Sequence, residues 1–314
     1  MSPELDLIII GGGPAGLTAG LYAARARLKA RLIEKLSPGG QILTTDWVDN
    51  YPGFPEGVSG FELVDRMRRQ AERFGLEIEA SEVVGLERRD RLIRVKLAEG
   101  ELLTRTLIVA AGSQPIKLGV PGELELTGKG VSYCATCDGP FYRNAIVAVV
   151  GGGDTAVEEA LYLTRFADRI HLFHRRDQLR ATAILQEKIK AEPKIQVHWS
   201  TVLTRIRAGE NGLVSGLDFK NVKTGLEAEL AVEGVFMFVG QKPQTDFLKG
   251  FVDMTPAGFV RTDAELATSQ PGVWAAGDVR DKLLRQIVTA AGDGAAAAFA
   301  AEKYIEEKFG KLDR

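Results

Sequence analysis

Two cysteines, Cys134 and Cys137, are the side chains best suited to chemistry in this sequence, and they are its only cysteines. Their C-x-x-C spacing permits a disulfide, and placement at a helix would favour the thiolate of one of them. Half of a zinc site and a pair of small buried residues are the other interpretations. A zinc site needs further ligands, but the sequence has no second cysteine pair and only three scattered histidines. Thiol–disulfide exchange is therefore the favoured chemistry.

A glycine-rich loop near the start of the chain, Gly11–Gly16 (GGGPAG), fits the pattern G-x-G-x-x-G. It follows an apolar stretch, Leu5–Ile10, and precedes a helix-like stretch, Leu17–Ala26. The three glycines allow a tight turn, the approach of a pyrophosphate and close packing of helix on strand. The helix N-terminus offers its N–H groups to phosphates. Glu34 ends the next strand, where an acid binds a ribose diol, so a dinucleotide site is favoured over a glycine turn without a ligand.

A second loop, Gly151-x-Gly153-x-x-Ala156, has the same frame but a different continuation. Where an acid would bind the ribose, the sequence reads His174-Arg175-Arg176-Asp177, and Arg180 follows closely. Arginines at this place accommodate a 2′-phosphate, so the loop is expected to take NADPH in preference to NADH. The alternative is that the arginines form a solvated run of charge.

The elements that must position these residues repeat along the chain. Leu5–Gly20 and Ala145–Ala160 are each an apolar strand, three glycines and a helix start, and a further strand follows each about 20 residues on (Ala30–Glu34 and Arg169–His174). This pattern predicts an α/β protein with two Rossmann-like, doubly wound, dinucleotide-binding domains. Gln114-Pro115 and Gly240–Gln244 have the composition of linkers. We therefore expect a first domain at 1–114 and 245–314, with a second domain at 115–244 inserted into it.

Two dinucleotide sites on one chain indicate electron transfer between two cofactors. NADPH suits the second loop, and FAD suits the first loop with its acid. Gly277-Asp278, at the end of another strand, is expected to lie opposite the first loop and to bind the ribityl chain or the pyrophosphate. A flavin passes an electron pair to a disulfide, which supports the redox interpretation of the cysteine pair. The cysteines and the nicotinamide must reach one flavin, so rotation of the domains is expected during the cycle.

The composition excludes several classes of partner. The chain has 314 residues, with 40 Lys and Arg against 42 Asp and Glu, and this net charge of -2 favours neither nucleic acid nor an anionic membrane. Leu7–Ala24 contains no charge, but its glycines and Pro14 interrupt it and Glu4 and Asp6 precede it, which is unlike a signal peptide or a membrane span. No metal site is expected. The expected compartment is the cytoplasm, where thiols are kept reduced.

The chain resembles the low-molecular-weight bacterial thioredoxin reductases over essentially its whole length. The matching motifs are GGGPAG at 11–16, PGGQI at 38–42, DNYPG at 49–53, CATCDG at 134–139, GGGDTAVEEALYL at 151–163, HRRD at 174–177, AAGDVRD at 275–281 and RQIVTAAGDG at 285–294. The resemblance implies an NADPH-dependent, FAD-containing thioredoxin-disulfide reductase. It also implies a homodimer.

The resemblance assigns the cofactor-binding residues. FAD is expected on Gly11, Gly12, Gly13, Pro14, Ala15, Gly16, Glu34, Lys35, Gly40, Gln41, Asn50, Val83, Ala111, Gly112, Asp278, Gln286 and Ile287. NADPH is expected on Gly151, Gly153, Asp154, Thr155, His174, Arg175, Arg176 and Arg180.

The same resemblance assigns the roles at the cysteine pair. Cys137 is expected to lie against the flavin, and Cys134 is expected to attack the disulfide of the partner. Asp138 would handle the thiol protons, although a helix cap or a turn aspartate is the alternative for this residue.

The partner is expected to be thioredoxin or a thioredoxin-like disulfide protein. Two alternatives remain open at the level of sequence. One is the same chemistry with another acceptor, such as a glutaredoxin-like or peroxidase-linked protein. The other is a nucleotide-binding sensor whose thiols report the redox state.

Overall fold

The computed structural model describes residues 5–45 and 47–310. They form two compact units, one up to Gln114 and from Lys242 onward, the other from Pro115 to Gln241. The chain therefore returns to the first unit between Gln241 and Lys242, three residues before the expected boundary at 244/245.

The strands and helices follow in chain order. The strands are β1 (Leu5–Ile10), β2 (Ala30–Glu34), β3 (Glu77–Ala80), β4 (Val83–Arg89), β5 (Leu92–Leu97), β6 (Glu101–Val109), β7 (Ser113–Pro115), β8 (Val131–Ser132), β9 (Ile146–Gly151), β10 (Arg169–Phe173), β11 (Ile195–His198), β12 (Thr201–Ala208), β13 (Val214–Asn221), β14 (Glu227–Leu230), β15 (Gly234–Phe238), β16 (Gln241–Pro243) and β17 (Val273–Ala275). The α-helices are α1 (Pro14–Arg25), α2 (Gly60–Arg73), α3 (Ala135–Asp138), α4 (Asp154–Leu163), α5 (Ala183–Ala191) and α6 (Ile287–Phe309).

The first unit is built on a seven-stranded sheet with the order β3-β2-β1-β6-β5-β4, in which β17 also pairs with β6. Strands β3, β2, β1, β6 and β17 run parallel, and β5 and β4 are antiparallel additions. Every residue of β1 is buried, as expected of a central parallel strand covered on both faces. Helices α1 and α6 pack so closely that a Cβ at Gly294 would lie 2.1 Å from the carbonyl oxygen of Ala15.

The second unit repeats this plan. Its five-stranded sheet has the order β11-β10-β9-β15-β8, and all its pairings are parallel. The order β11-β10-β9 corresponds to β3-β2-β1 of the first unit, and β12, β13 and β14 form a separate antiparallel sheet. In both units the central strand leads through glycines into a helix. The predicted α/β fold with two Rossmann-like dinucleotide-binding domains is confirmed.

The two segments predicted as linkers are ordered strands. Residues 113–115 (β7) and 241–243 (β16) pair as a two-stranded sheet, and the N–H of Ile116 donates to Gly240 O at 3.0 Å. Proline and glycine suggested irregular structure, but both strands of a two-stranded sheet are edge strands, where the missing N–H of Pro115 is tolerated. Within the described residues, no helix has the length and apolarity needed to cross a membrane.

Candidate functional site

The first glycine loop joins β1 to α1 and has the geometry that its sequence predicts. Gly11 has φ +106°, and a Cβ there would lie 2.4 Å from Ala110 O. A Cβ at Gly16 would lie 1.8 Å from Gly11 O, so only glycine lets α1 approach the strand this closely. Gly13 has no atom within 4 Å of an added Cβ, and no side chain caps α1. The loop therefore offers an open backbone and the N–H groups of a helix N-terminus.

Glu34 ends β2 beside this loop and is bonded to the backbone. One carboxylate oxygen accepts the N–H of Gly12 at 2.6 Å, and the other accepts the N–H of Leu36 at 2.9 Å. Gly40 lies on the other side of the loop, where its added Cβ would be 3.4 Å from Gly13 Cα. The N–H of Gly39 donates to Gly12 O at 2.8 Å. The acid and the 39–40 turn thus fix the shape of the loop while ligand-accepting capacity remains on the carboxylate.

Asp278 lies in the turn after β17, and the structure brings this turn to the first loop. A Cβ at Gly277 would lie 2.9 Å from the Ala15 side chain. Asp293 of α6 holds the turn, because its carboxylate accepts the N–H of Gly277 at 2.9 Å and pairs with Arg280 and Lys282 at 3.0 and 2.8 Å. One oxygen of Asp278 is buried without a partner among the described residues, and burial raises the pKa of this carboxyl. An unpartnered buried acceptor fits a ligand that donates a hydroxyl.

The other residues assigned to the flavin lie in three groups within the first unit, with Lys35 apart from them. Gln41 donates to the carbonyl of Ser113, next to Gly112, and Asn50 donates to Gln286 at 3.0 Å, immediately before Ile287. Val83 is buried and begins β4, and Ala111 packs against the same apolar cluster. Lys35 is exposed and its Nζ lies 3.6 Å from Glu82. Binding of a flavin by these residues stays a prediction.

The second glycine loop joins β9 to α4 in the second unit. A Cβ at Gly151 would lie 2.5 Å from the side chain of Ala156, so the loop and the helix pack closely, and Gly153 is open. Asp154 accepts the N–H of Thr182 at 2.7 Å. Thr155 is exposed at the first turn of α4. This loop therefore has the same open backbone as the first.

The three arginines after β10 are exposed and carry charge that no acidic side chain among the described residues neutralises. None of Arg175, Arg176 and Arg180 has an ion-pair partner in the described part of the chain. Asp177, the one acid in this run, pairs instead with Lys223 at 2.7 Å. Uncompensated guanidinium groups beside a glycine loop suit an anionic ligand such as a phosphate.

His174 precedes these arginines but is buried. Its Nδ1 lies 2.9 Å from Gly151 O and its Nε2 lies 2.9 Å from Gln178 O. Burial lowers the pKa of the ring. The sequence-based interpretation of His174 as a residue that contacts the nucleotide did not foresee these two backbone partners.

Cys134 and Cys137 form a disulfide in the structure, with their Cα atoms 5.3 Å apart. Cys134 is the N-cap of α3, the single turn that also contains Cys137 and Asp138. The N–H of Cys137 points to Cys134 Sγ at 3.2 Å, and the Thr136 hydroxyl lies 3.3 Å from the same sulfur. Ser132 anchors the start of this turn, since its hydroxyl accepts the N–H of Cys134 at 3.1 Å. Two hydrogen-bond donors therefore point to Cys134 Sγ.

Asp138 is half-buried at the end of α3. Burial raises the pKa of its carboxyl above the ordinary value, against a smaller opposing effect of a hydrogen bond from Ser132. Nearby Tyr142 has a pKa raised to about 12, through burial first and the charges of Asp138 and Glu233 next. A carboxyl with a raised pKa holds a proton at a higher pH than a solvated one and is suited to proton transfer.

Glu159 is a residue of this region that sequence reasoning missed. It lies on α4, where its carboxylate accepts a hydrogen bond from the Ala135 backbone, between the two cysteines. Its Oε2 is buried without a partner among the described residues, and burial raises its pKa. Only the packing of α4 against α3 brings the two together, so no local sequence signal marks it. Across the described residues, no three His, Cys, Asp or Glu side chains gather to hold a metal ion.

Comparison with known proteins places these features in a family. Residues 5–294 match the model of the pyridine nucleotide-disulphide oxidoreductases. The chain is 46% identical to a thioredoxin reductase of Peptoclostridium litorale, over 98% of this chain and 99% of the relative. It is 45% identical to a thioredoxin reductase of Treponema pallidum, with the same coverage. The crystal structure of thioredoxin reductase from Streptococcus pyogenes superposes with a TM-score of 0.93 at 44% identity, covering 98% of this chain and 100% of that one.

Relatives that match from end to end and a family model that spans nearly the whole chain agree with the disulfide and the two glycine loops. The sensor interpretation is therefore wrong, because the family is one of enzymes that use a flavin and a nicotinamide nucleotide. The chain belongs to the pyridine nucleotide-disulphide oxidoreductase family and, within it, to the low-molecular-weight thioredoxin reductases.

Proposed function

We propose that this enzyme reduces the disulfide of thioredoxin with electrons from NADPH, by way of FAD and the Cys134–Cys137 pair. The observation that carries the proposal is the disulfide between the only two cysteines of a chain that also contains two dinucleotide-type glycine loops. The thioredoxin reductases among its relatives support thioredoxin as the acceptor.

FAD is the flavin proposed for the first unit. A loop of the G-x-G-x-x-G type suits the pyrophosphate of a dinucleotide, and Glu34 suits a ribose diol. The buried, unpartnered oxygen of Asp278 supports a hydroxyl-rich ribityl chain beside this loop. The remaining contacts are proposed for the residues that the family resemblance assigns.

NADPH is the nicotinamide nucleotide proposed for the second unit. The 2′-phosphate that distinguishes NADPH from NADH is an anion, and Arg175, Arg176 and Arg180 are exposed cations without acidic partners among the described residues. An acid at this position would instead favour the unphosphorylated ribose. The charge of the arginine run therefore supports NADPH.

The exchange chemistry is assigned to the dithiol form of the cysteine pair. Bound flavin and nicotinamide nucleotide supply the electron pair that converts the disulfide to this form. The Cys134 thiolate attacks one sulfur of the thioredoxin disulfide, whose S–S bond breaks as a mixed disulfide forms and one thioredoxin thiolate leaves. The Cys137 thiolate then attacks Cys134 Sγ, releases the second thioredoxin thiolate and restores the Cys134–Cys137 bond.

Cys134 is the proposed nucleophile because the Cys137 N–H and the Thr136 hydroxyl both point to its sulfur. Hydrogen bonds to the charged form of a group favour that form. Asp138 is proposed to hold and release the protons that leave and rejoin the thiols, and its raised pKa supports this role. We also propose that the enzyme is a homodimer and that it works in the cytoplasm, where its product thiols remain reduced.

The test is an assay of the purified flavoprotein with NADPH or NADH against a panel of thioredoxins, glutaredoxin-like proteins and peroxidase-linked disulfide proteins. We expect the highest kcat/KM with a thioredoxin and NADPH. A higher kcat/KM with one of the other acceptors would replace thioredoxin in the proposal. Equal kcat/KM for NADPH and NADH would contradict the assignment of the arginines to a 2′-phosphate.

A further inference from the structure

The ring of His174 links two segments that the proposed function requires to act together. Its Nδ1 lies 2.9 Å from Gly151 O, in the second glycine loop. Its Nε2 lies 2.9 Å from Gln178 O, in the segment 175–182 that follows β10. This segment, here called the arginine loop, carries Arg175, Arg176 and Arg180. A carbonyl oxygen only accepts hydrogen bonds, so the ring is the donor: it donates at one nitrogen when neutral and at both when protonated.

The backbone of the arginine loop reinforces the link. The N–H groups of Arg180 and Ala181 donate to Gly152 O at 2.7 and 3.2 Å, and the N–H of Thr182 donates to Asp154 at 2.7 Å. A Cβ at Gly152 would lie 2.2 Å from the imidazole, so the ring occupies the space beside this glycine. The G-x-G-x-x-A frame does not require glycine at its second position, and the ring of His174 supplies a reason for it.

We propose that His174 is a positioning residue for nucleotide specificity, which holds the glycine loop and the arginine loop at a fixed separation. It does so through backbone carbonyls and without touching the nucleotide, in place of the contact that the sequence suggested. This inference rests on the proposed preference for NADPH. In that proposal the pyrophosphate lies on the glycine loop and the 2′-phosphate on the arginine loop, so NADPH spans both loops.

The role predicts which ligands depend on His174. NADP+ uses both loops and therefore gains from their fixed separation. NAD+ lacks the 2′-phosphate and uses the glycine loop, whereas 2′-AMP has no pyrophosphate and uses the arginine loop. Loss of the ring must therefore weaken NADP+ selectively, because misplacing two subsites relative to each other harms only the ligand that joins them.

The experiment is calorimetric titration of the FAD-containing enzyme with NADP+, NAD+ and 2′-AMP. It uses wild type, His174→Phe, which keeps an aromatic ring without donors, and His174→Gln, which keeps one donor group. Phenylalanine should raise the Kd of NADP+ by about tenfold, as expected for loss of a hydrogen bond that positions charged contacts, with glutamine in between. The Kd values of NAD+ and 2′-AMP should stay within about twofold of wild type.

His171→Phe is the matched control. His171 is also buried, within strand β10, which ends directly before His174, but its Nδ1 lies 2.9 Å from His198 Nε2 and bonds neither loop. It should leave all three Kd values unchanged. If His174→Phe does not fold, Gly152→Ala disturbs the same link from the other side, because its Cβ displaces the ring, and the selective weakening of NADP+ should recur.

Equal weakening of NADP+ and NAD+ would overturn the proposal, since it would mean a general structural role. Weaker binding of 2′-AMP would overturn it in favour of direct contact with the phosphate, and unchanged binding of all three ligands would deny any role. These outcomes concern the variants. Equal affinity of the wild type for NADP+ and NAD+ would instead overturn the proposed cofactor and, with it, the reason for a specificity residue.

Discussion

The backbone N–H of Cys137 lies 3.2 Å from Cys134 Sγ and points to it, so one half of the redox pair donates a hydrogen bond to the other. The Thr136 hydroxyl lies 3.3 Å from the same sulfur. Once the disulfide is reduced, these donors stabilise a negative charge on Cys134. The exchange with the partner disulfide is therefore expected at Cys134.

Reduced enzyme treated briefly with iodoacetamide should be alkylated first at Cys134, because the thiolate is the reactive form. Peptide mass spectrometry after a short exposure measures the ratio of the two sites. Thr136→Val removes one donor and should lower the preference, while Thr127→Val, elsewhere in the same unit, should not. Faster alkylation of Cys137 would reverse the assigned roles.

Asp138→Asn should lower turnover with thioredoxin by about a hundredfold, the lower end of what general acid–base catalysis contributes. Reduction of the flavin by NADPH should be unaffected, because no thiol proton is transferred in that step. Stopped-flow absorbance measures flavin reduction by NADPH separately from the turnover of thioredoxin. An equal loss in both steps would indicate damage to the fold.

The same substitution has a pH-dependent effect on stability. Burial raises the pKa of Asp138 in the folded chain, so the folded state binds more protons than the unfolded state between the ordinary pKa of 3.8 and the raised pKa. Stability is then lost as pH rises through this window. Urea unfolding of Asp138→Asn and wild type at several pH values should show the variant gaining relative stability as pH rises. A constant difference would contradict the burial of a charge-bearing carboxyl.

Arg175→Ala should weaken the binding of NADP+ by about 1.5–3 kcal/mol, as for a lost charged hydrogen bond, and leave NAD+ nearly unchanged. Arg169, which begins β10 at a distance from the arginine loop, provides a control for removal of one positive charge. Calorimetric titration of wild type, Arg175→Ala and Arg169→Ala with NADP+ and NAD+ measures the changes in affinity. Equal losses for both nucleotides would remove Arg175 from the 2′-phosphate site.

Asp278→Asn should have opposite effects on the empty and the loaded protein. The free protein should become more stable, because a buried carboxylate with one unpartnered oxygen is replaced by a neutral group. Flavin should bind more weakly, because the acceptor with full charge is lost. Asp293→Asn is the contrast, since Asp293 holds the Gly277 turn and pairs with Arg280 and Lys282, so it should destabilise both forms. Thermal melts of both variants, with and without flavin, measure these changes in stability. A flavin-free Asp278→Asn protein that is less stable than wild type would contradict the account.

Helix α6 offers a paired test of close packing. A Cβ at Gly294 would lie 2.1 Å from Ala15 O, whereas one at Gly292 meets nothing within 4 Å. Gly294→Ala should therefore lower the free energy of unfolding by about 1–3 kcal/mol through overpacking of α1 against α6. Gly292→Ala should raise it by up to about 1 kcal/mol through helix propensity. Chemical denaturation of both variants checks the signs, and a Gly294→Ala protein as stable as the Gly292→Ala protein would place the helices further apart than described.

Much of the fold could be predicted because its signals are local. The β1–loop–α1 and β9–loop–α4 units carry apolar strands, glycines at fixed spacing and helix starts within about 20 residues each. Helix α2 has a strongly charged sequence around few apolar positions, and it was not predicted. Strand β4, with its mixed sequence VVGLERR, was also missed, since its partner β5 decides its conformation.

The candidate site was predictable where a motif carries it and hidden where packing makes it. The cysteine pair and the glycine loops follow from spacing alone. Glu159 contacts the Ala135 backbone from another helix, and the His174 ring lies between two loops. Neither contact can be predicted from the local sequence, because each depends on tertiary packing. Glu34 was foreseen as an acid at a strand end, but its bond to Gly12 N–H was not, because that bond joins residues 22 apart in the chain.

The central claim is tested most directly by counting thiols and following the flavin in one sample of Cys134→Ser, supplied with NADPH and oxidised thioredoxin. The wild type should produce two thioredoxin thiols for each NADPH consumed. The variant should still reduce its flavin with NADPH but produce no thioredoxin thiols. Thioredoxin thiols formed at the wild-type rate by the variant would contradict the account, because electrons would then reach thioredoxin without the Cys134–Cys137 pair.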